Sequence, residues 1–317
     1  GSDYSTDNTN SIVQEFAAKY ASLAFFPFSE RSGKPNVLNK LISKIEEATL
    51  DRSHDVFVFT DANVMFTPDT IYQLVKHFKN ETIWQTGANI LNKGVMNTGI
   101  SFQEKSYITI ENTTKYLEGL NWGAMIGAFG GCYAIRAGGW LPIPANYIVD
   151  DFYLSLNILS KNKKAILERK AVCYEDVSNE VANEFNRKAR IQAGNFQNLR
   201  SYSHLLFRFN AVAFCFFSHK VIRWAGPLLI LLAYIANIFL LPFSQFYLFA
   251  FVVQNLLLLS PVIDTLLKRM GFHLILLRFA SYFIIMNIAL AKGFVMYMKG
   301  IKTNAWNPTE RNISATH

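Results

Sequence analysis

The sequence predicts an α/β domain with a mostly parallel sheet, followed by helices that enter a membrane. Up to about residue 202, short apolar strands alternate with helical segments, the pattern of a sheet that carries helices on its faces. Beyond that point, long uncharged runs dominate the chain. One of them, Ala225–Phe243, has the ~20 residues that a membrane-spanning helix needs. We therefore expect an integral membrane protein.

The elements of the domain are predicted in chain order. Thr9–Tyr20 reads as a helix because capping residues precede it. Pro35–Ala48 reads as an amphipathic helix whose apolar side chains share one face. Val56–Thr60 has the apolar β-type composition of a central strand. The later predictions are helices at Asp69–Phe78 and Ile148–Ser160, strands at Ile83–Leu91 and Ala165–Tyr174, and a helix that carries Arg187 and Arg190.

The C-terminal part is predicted to hold the membrane segments. Residues 203–224 are apolar but broken by charges, which favours an amphipathic interfacial helix over a span, since Arg208 lies near the middle. Residues 225–298 contain three apolar runs, and 299–317 form a tail. The third run either crosses the membrane or forms an interfacial or re-entrant helix. We expect the latter because Arg278 and Lys292 fall within it.

The distribution of charge indicates how the chain is oriented in the membrane and argues against a nucleic-acid partner. The net charge of +8 comes largely from basic residues that flank the apolar runs, as cytoplasmic loops require. The uncharged linker Pro242–Gln245 is therefore expected on the translocated side, and the domain in the cytoplasm. No basic stripe marks a soluble face, so we expect no nucleic-acid partner. Cys132, Cys173 and Cys215 lack metal or disulfide spacing and are expected to be reduced.

The stretch from Val56 to Ile71 carries the first chemical signal. An apolar strand there ends in Asp61 and Asn63. Ligands bind at the carboxyl ends of strands in open α/β sheets, and hard oxygen donors suit Mg²⁺ or Mn²⁺ holding a diphosphate. The alternative is an ordinary Asp/Asn turn, and this motif alone does not decide between the two.

Further polar groups follow in order along the chain, and each also has a purely structural explanation. Asp3 ends a predicted strand, where it can also cap a helix. Arg31 and Lys34 flank a glycine before a helix, or belong to a solvated loop. Asp150 and Asp151 open a helix, where the dipole welcomes anions. Arg187 and Arg190 can form an exposed basic face.

Taken in order, these motifs resemble those of membrane-bound family 2 glycosyltransferases with the GT-A nucleotide-diphospho-sugar fold. The family's D-G-S-x-D-x-T turn corresponds to Asp3–Thr9, and its R-x-G-K-x-x-A-L-N element to Arg31–Asn39. Its D-x-D motif corresponds to Asp61–Asn63, its E-D motif to Asp150–Asp151, and its Q-x-x-R-W motif to Arg187–Ile191.

The resemblance implies that the protein transfers a sugar, with inversion, at the cytoplasmic face of the inner cell membrane. Membrane lipids are then expected to be partners of the protein. The donor is expected to be a nucleotide-sugar, a UDP-sugar, with Mg²⁺ or Mn²⁺, and the acceptor a lipid-linked or polysaccharide glycan. The implied site residues are Asp151 as general base with Asp150 beside it; Asp3, Arg31, Lys34, Asp61, Arg187 and Arg190 for the donor; Gly130, Gly131 and Cys132 for the acceptor; and Asp61 and Asn63 for the metal.

Three departures from the family pattern leave further functional classes open. Asn63 replaces a carboxylate, which removes a charge from the metal site. Arg187 and Ile191 replace Gln and Trp, which weighs against a processive polysaccharide synthase. The strand and helix that precede the first motif in the family are missing, so we expect an N-terminally truncated chain. Two more classes are a degenerate nucleotide-sugar-binding membrane protein without turnover, and a transporter, which the few polar residues in the spans oppose.

Overall fold

A five-stranded mixed sheet organises the N-terminal domain. The computed structural model describes residues 1–48, 54–93, 101–176 and 180–301. The strands are β1 (Ser2–Asp3), β2 (Pro27–Phe28), β3 (Val56–Thr60), β4 (Met65–Phe66), β5 (Ile83–Lys93), β6 (Cys132–Arg136) and β7 (Lys164–Asp176). Strands β1 and β2 pair in parallel by themselves, and the other five form one sheet in the order β3-β6-β5-β7-β4.

The strand directions confirm the α/β fold class but correct its pairing. Strand β5 pairs in parallel with β7, whereas β6 pairs antiparallel with both β3 and β5, and β4 pairs antiparallel with β7. Strands β3, β5 and β7 thus share one direction, as predicted, but most neighbours are antiparallel. The prediction of a central position for Val56–Thr60 is wrong, because within this sheet of the described chain β3 pairs with β6 alone. Its apolar composition reflects packing on the two faces, not two neighbouring strands.

Eleven α-helices accompany the strands in the described residues. They are α1 (Thr9–Lys19), α2 (Lys34–Ala48), α3 (Thr70–Val75), α4 (Ser101–Trp122), α5 (Asp150–Ser160), α6 (Val181–Tyr202), α7 (Ala211–Cys215), α8 (Ile222–Trp224), α9 (Gly226–Leu240), α10 (Gln245–Arg269) and α11 (Ile275–Met298). Helices α1, α2 and α5 lie within two residues of their predicted bounds. Helix α3 is shorter than predicted and continues as a 3₁₀ turn, Lys76–Lys79.

Helix α4 is a long helix that the apolar periodicity of the sequence did not predict. It spans 22 residues, and its buried positions include Glu104, Glu111, Lys115 and Glu118. Because this buried face is charged, the helix lacks the apolar stripe by which helices are recognised. Its β-branched threonines and isoleucines further lower its helix propensity.

The segment from Ser203 to Trp224 is not the single amphipathic helix that was predicted. It consists of a 3₁₀ turn (Ser203–Phe207), α7, a π-helical turn (Phe216–Val221) and α8. Phe209, with a φ of 50°, breaks the path, and Asn210 caps α7 by accepting a hydrogen bond from the Ala213 amide at 3.0 Å.

This broken segment completes the core of the domain. Its Leu205, Phe216 and Trp224 belong to the same buried apolar cluster as Phe59 and Phe152. Full burial of a Phe side chain stabilises a fold by roughly 1.5–3 kcal/mol, so the breaks in the helix are offset by packing. Its depth relative to a lipid surface stays a prediction.

Within residues 1–48, 54–93, 101–176 and 180–301, three helices are long and apolar enough to cross a membrane, judged by length and composition: 226–243, 245–269 and 275–298. The third, α11, is one continuous helix of 24 residues, and the re-entrant form stays a prediction. It packs closely on α6, since a Cβ on Gly293 would lie 2.4 Å from the Ala189 carbonyl oxygen. Crossing and interfacial positions both remain predictions. The predicted tail lies outside the described residues from residue 302 onward.

Candidate active site

A cavity of about 1060 Å³ lies between the N-terminal domain and the C-terminal helices. Its polar wall includes Asp61, which follows β3, and Asp150 and Asp151, which open α5. Its opposite wall includes Ile230 of α9 and Leu290 of α11. The cavity therefore connects a group of carboxylates with the apolar helices.

Lys34 joins the carboxylates that come from two different elements. Its Nζ lies 2.6 Å from Asp61 Oδ1 and 3.8 Å from Asp150 Oδ2. Burial alone would lower the pKa of Lys34, but Asp150 and Asp61 outweigh it and raise the pKa above its ordinary value. Lys34 is therefore a permanent cation at the centre of the polar wall.

The two adjacent carboxylates of α5 have different surroundings. Asp150 is buried, and its Oδ2 makes no hydrogen bond. Asp151 is half-buried and accepts a hydrogen bond from the Phe152 amide at 2.8 Å. Burial, together with the charge of Asp150, raises the pKa of Asp151 to about 6, and burial also raises the pKa of Asp150. A carboxylate with a pKa near 6 is suited to act as a general base near neutral pH.

The predicted acceptor residues separate into two groups. Gly130 and Gly131 line the cavity. A Cβ on Gly130 would lie 3.0 Å from Asp151 Oδ2, so a larger residue there would press on that carboxylate. Cys132 is not part of the cavity wall, because its side chain is fully buried in β6 beside Cys173, and acceptor contact by Cys132 stays a prediction.

Asp3 and Arg31 do not line the cavity. The carboxylate of Asp3 accepts hydrogen bonds from the backbone amides of Ser32 at 2.7 Å and Gly33 at 2.8 Å. Gly33 has a φ of 83°, which favours glycine, and it directly precedes Lys34. Asp3 thus positions the loop that presents Lys34, and donor contacts by Asp3 and Arg31 stay predictions.

Arg187 and Arg190 both reach the cavity, but Arg187 is engaged within the protein. Its guanidinium donates to Glu184 at 2.8 Å and to Glu104 at 2.9 Å. Arg190 lies one helical turn further along α6, and burial together with the charge of Arg187 lowers its pKa. Donor binding by these two residues stays a prediction.

The oxygen donors of Asp61 and Asn63 fit a divalent ion that arrives with a diphosphate. Both residues line the cavity. Among the described residues, no group of three His, Cys, Asp or Glu side chains can hold a metal by itself. Mg²⁺ is commonly held by one or two carboxylates plus phosphate oxygens and water, which is the donor set present here.

Sequence reasoning missed a row of three buried glutamates on α4. Glu104, Glu111 and Glu118 recur every seven residues and therefore lie on one face, two turns apart. Glu104 accepts hydrogen bonds from Arg187, from Lys188 at 3.0 Å and from the Tyr282 hydroxyl at 2.6 Å. The seven-residue spacing was the signal in the sequence, but acidic residues at that spacing usually lie on a solvated face.

Glu111 and Glu118 bind the segment before α9. Glu111 pairs with Arg223 at 2.7 Å and also contacts Lys220. Glu118 accepts from the Ile126 amide at 3.1 Å and contacts His219 Nδ1 at 2.8 Å. The row therefore ties α4 to the elements that follow the domain.

Comparison with known proteins identifies what the domain resembles. Residues 2–136 match the family model described as Glycosyl transferase family 2. No curated protein matches the chain. Among solved structures, the mannosyltransferase PcManGT from Pyrobaculum calidifontis, in complex with GDP-Man and Mn²⁺, is similar, with a TM-score of 0.62 and 16% identity. That match covers 93% of this chain and 76% of the other, and at this identity it shows a shared fold.

Proposed function

We propose that this chain, whose residues 2–136 match the model of glycosyl transferase family 2, transfers a sugar, with inversion, from a nucleotide-diphosphate donor to a membrane-associated acceptor. One observation carries the proposal. A single cavity holds Lys34 and Asp61 on its polar wall, Asp151 beside them, and apolar helices opposite.

The donor diphosphate is proposed to bind at Lys34, Asp61 and Asn63. A divalent ion held by Asp61 and Asn63 would offset the charge that develops on the leaving diphosphate. Lys34 supplies a fixed positive charge at the same place. The similar mannosyltransferase contains GDP-Man and Mn²⁺, which supports a nucleotide-sugar and a divalent ion here. The predicted UDP-sugar stays a proposal beside a GDP-sugar.

Asp151 is proposed to take the proton from the acceptor hydroxyl. Its raised pKa, about 6, leaves it largely ionised at neutral pH yet basic enough to accept a proton. The acceptor oxygen then attacks the anomeric carbon from the face opposite the leaving diphosphate, which inverts that centre. Gly130 supports this role because it leaves space around the Asp151 carboxylate.

The acceptor is proposed to be a lipid-linked or growing glycan that reaches the cavity from the membrane. Ile230, Met286 and Leu290 line the cavity and lie on helices that are long and apolar enough to span a bilayer. We propose that the domain faces the cytoplasm at the inner membrane, as the distribution of basic residues indicates.

A donor screen with the full chain in nanodiscs tests the proposal. UDP- and GDP-sugars are supplied with Mn²⁺ or Mg²⁺, and release of the nucleoside diphosphate is measured. We expect release that depends on the identity of the sugar and on the metal. Binding of a nucleotide-sugar without release would favour the degenerate binding protein, which the missing carboxylate at Asn63 makes the second candidate.

A further inference from the structure

Residues 126–131, here named the glycine loop, adjoin both the proposed base Asp151 and the proposed metal ligand Asp61. The backbone of the loop is neither helix nor strand, and both Ile126 and Ala128 are buried. A buried amide outside regular structure needs another partner, since an unpaired amide there costs free energy comparable to a lost hydrogen bond. The partners of these amides therefore show what holds the loop in place.

Glu118 holds the start of the glycine loop. It is buried on α4, and its Oε2 accepts a hydrogen bond from the Ile126 amide at 3.1 Å. Its backbone carbonyl oxygen accepts a further hydrogen bond from the Ala124 amide at 3.2 Å. A carboxylate forms a stronger hydrogen bond with an amide than a neutral oxygen does. Glu118 thus binds the chain that enters the loop through its side chain and its main chain.

The Glu118 carboxylate has a fixed orientation. Its Oε1 lies 2.8 Å from His219 Nδ1, and the other ring nitrogen of His219 lies 3.2 Å from a carboxylate oxygen of Glu111. The backbone of α4 is also constrained here, because a Cβ on Gly119 would lie 2.9 Å from the Ile166 Cα in β7. Rotation of the Glu118 carboxylate away from the loop would break its contact with the histidine.

Ser155 joins the middle of the glycine loop to the proposed base. Its fully buried hydroxyl oxygen accepts a hydrogen bond from the Ala128 amide at 3.2 Å, and the same hydroxyl donates to the Asp151 carbonyl oxygen at 2.8 Å. Further along the loop, the Gly130 backbone lies against the Asp151 carboxylate, where a Cβ would be 3.0 Å from Oδ2. The loop therefore reaches Asp151 twice, through Ser155 and directly at Gly130.

The end of the glycine loop is held by the last residue of β3 and the residue after it. The Gly131 carbonyl oxygen accepts hydrogen bonds from the Asp61 amide at 3.1 Å and from the Thr60 hydroxyl at 3.2 Å. A loop of six residues that is held at its start, middle and end has little freedom. Its position, and that of Asp151 against it, therefore depends on each of these hydrogen bonds.

We propose that Glu118 is a positioning residue of the candidate active site, which holds the glycine loop so that Ser155 and Gly130 keep Asp151 in its place. The inference rests on the proposed function, in which Asp151 is the base. Glu118 does not line the cavity, so it acts only through the loop. A displacement of about 1 Å at a reacting group can lower a rate by ~10²-fold, which is the effect expected when this hold is lost.

Hydrogen–deuterium exchange tests the hold without any donor or acceptor, so its result is independent of turnover. The full chain in nanodiscs is compared with Glu118→Ala by mass spectrometry of the peptide that covers residues 124–133. We expect the amides of the glycine loop to exchange at least about tenfold faster in the variant, because the Ile126 amide loses its partner. Ser155→Ala removes the partner of the Ala128 amide and should change exchange in the same direction.

Two variants at the same position separate the hydrogen bond from the charge. Glu118→Gln has no charge but keeps an oxygen at the same reach, so the glycine loop should exchange as it does in the unaltered chain. Glu118→Asp keeps the charge but is one methylene shorter, so the loop should exchange faster, as in Glu118→Ala. This milder variant carries the test if Glu118→Ala does not fold.

Glu104→Ala is the matched control for the exchange experiment. It removes another buried glutamate from the same face of α4, but its partners lie on α6 and α11. We therefore expect the glycine loop to keep its protection in this variant. Exchange of α3 and thermal unfolding of each variant are the references for the fold as a whole.

Turnover gives a second measurement that a role in stability alone would not change. We expect Glu118→Ala to lower the rate of nucleoside diphosphate release by ~10–10²-fold in the folded protein, while donor affinity changes by less than about threefold. Glu118→Gln should restore most of the rate. Loss of stability alone would reduce the amount of folded protein and leave the rate of the folded fraction unchanged.

Three results would overturn the inference. The first is unchanged exchange of the glycine loop in both Glu118→Ala and Glu118→Asp. The second is exchange in Glu118→Gln as fast as in Glu118→Asp, since the hydrogen bond to the Ile126 amide would then not be the cause. The third is an unchanged release rate in a variant whose loop exchanges faster. Absence of release from the unaltered chain with every donor would instead contradict the proposed function, and the exchange result would stand by itself.

Discussion

Lys34 offsets part of the negative charge of the carboxylates on the polar wall of the cavity. Its ammonium contacts both Asp61, which follows β3, and Asp150, which begins α5. Without it, two carboxylates and the adjacent Asp151 would repel one another in a partly dry site. A donor diphosphate adds further negative charge at this place, so the contribution of Lys34 increases as the donor binds.

Asp61 is expected to be required for turnover. Asp61→Ala removes an oxygen ligand and the nearest partner of Lys34, so we expect loss of diphosphate release and weaker donor binding with Mn²⁺ or Mg²⁺. Asn63→Asp adds a charge and should be tolerated. The matched control is Asp69→Ala, an exposed carboxylate at the start of α3. Unchanged turnover in Asp61→Ala, or full turnover with excess chelator, would contradict the assignment.

Asp151 is expected to be the general base. Asp151→Asn keeps the shape of the side chain but removes the proton acceptor, so the rate should fall by ~10²–10⁴ while donor binding is largely kept. Single-turnover rates and donor affinity measured on the same protein separate the two effects. A larger loss in Asp150→Asn would reverse the roles of the two carboxylates.

The pH dependence follows from the same pair. Because the base must be ionised, and the pKa of Asp151 is raised to about 6, the rate should fall as the pH drops below about 6. Asp150 raises that pKa, so Asp150→Asn should move the acidic limb of the pH–rate profile to lower pH. A limb that stays in place or moves upward would show that another group controls it.

At the scale of elements, the predictable parts are those whose packing face is apolar. Helix α2 was recognised from apolar residues at a period of 3.6, and strand β3 from a continuous apolar run. Strand β6 was not predicted from the sequence because it begins at the end of the glycine-rich segment, which has the composition of a loop. Helix α4 escaped because its buried face carries charges whose partners lie far away in the sequence, and local periodicity contains no information about such partners.

The candidate site was predictable to a similar extent. Asp61, Asp150 and Asp151 lie at the ends of a strand and a helix, where polar motifs are easy to recognise in a sequence. All three line one cavity. The contacts of Glu111 with Lys115 and Lys220 were not predicted, because Lys115 lies within an unrecognised helix and Lys220 was interpreted as a membrane-flanking charge. The contact with Lys220 joins residues more than a hundred positions apart.

The contact between α6 and α11 gives a prediction at this scale. A Cβ on Gly293 would lie 2.4 Å from the Ala189 carbonyl oxygen, so Gly293→Leu should force the helices apart. Overpacking of this kind costs about 1–3 kcal/mol, and thermal unfolding in detergent should shift to lower temperature. Val295→Leu, on an exposed part of α11, is the control. An unshifted Gly293→Leu would mean that the two helices separate readily.

For the whole molecule, the end of the predicted domain at residue 202 is not a boundary in packing. Leu205, Phe216 and Trp224 complete the apolar core of the domain. The glutamate row of α4 reaches beyond it, as far as Tyr282 of α11. The domain and the C-terminal helices are therefore joined by buried contacts.

Topology can be measured on the full chain by thiol labelling. Single cysteines at Ser244, Lys268 and Lys299 are exposed to an impermeant reagent in intact cells, and the native Cys132, Cys173 and Cys215 are buried and should not react. Two crossings with a cytoplasmic domain predict labelling at Ser244 alone. A labelled Lys299 would indicate three crossings, and a labelled Lys268 would reverse the orientation.

The glutamate row also has a consequence for the order of folding. Glu118, Glu111 and Glu104 meet partners that follow them by 101, 112 and 178 residues. While the chain leaves the ribosome, α4 can pack on β5 and β7, but these carboxylates still lack their distant partners. Contacts over such separations form late, so we expect the N-terminal domain to complete its packing only after the following helices have been synthesised. A nascent chain arrested before Tyr282 would carry an unfinished domain however long it waited.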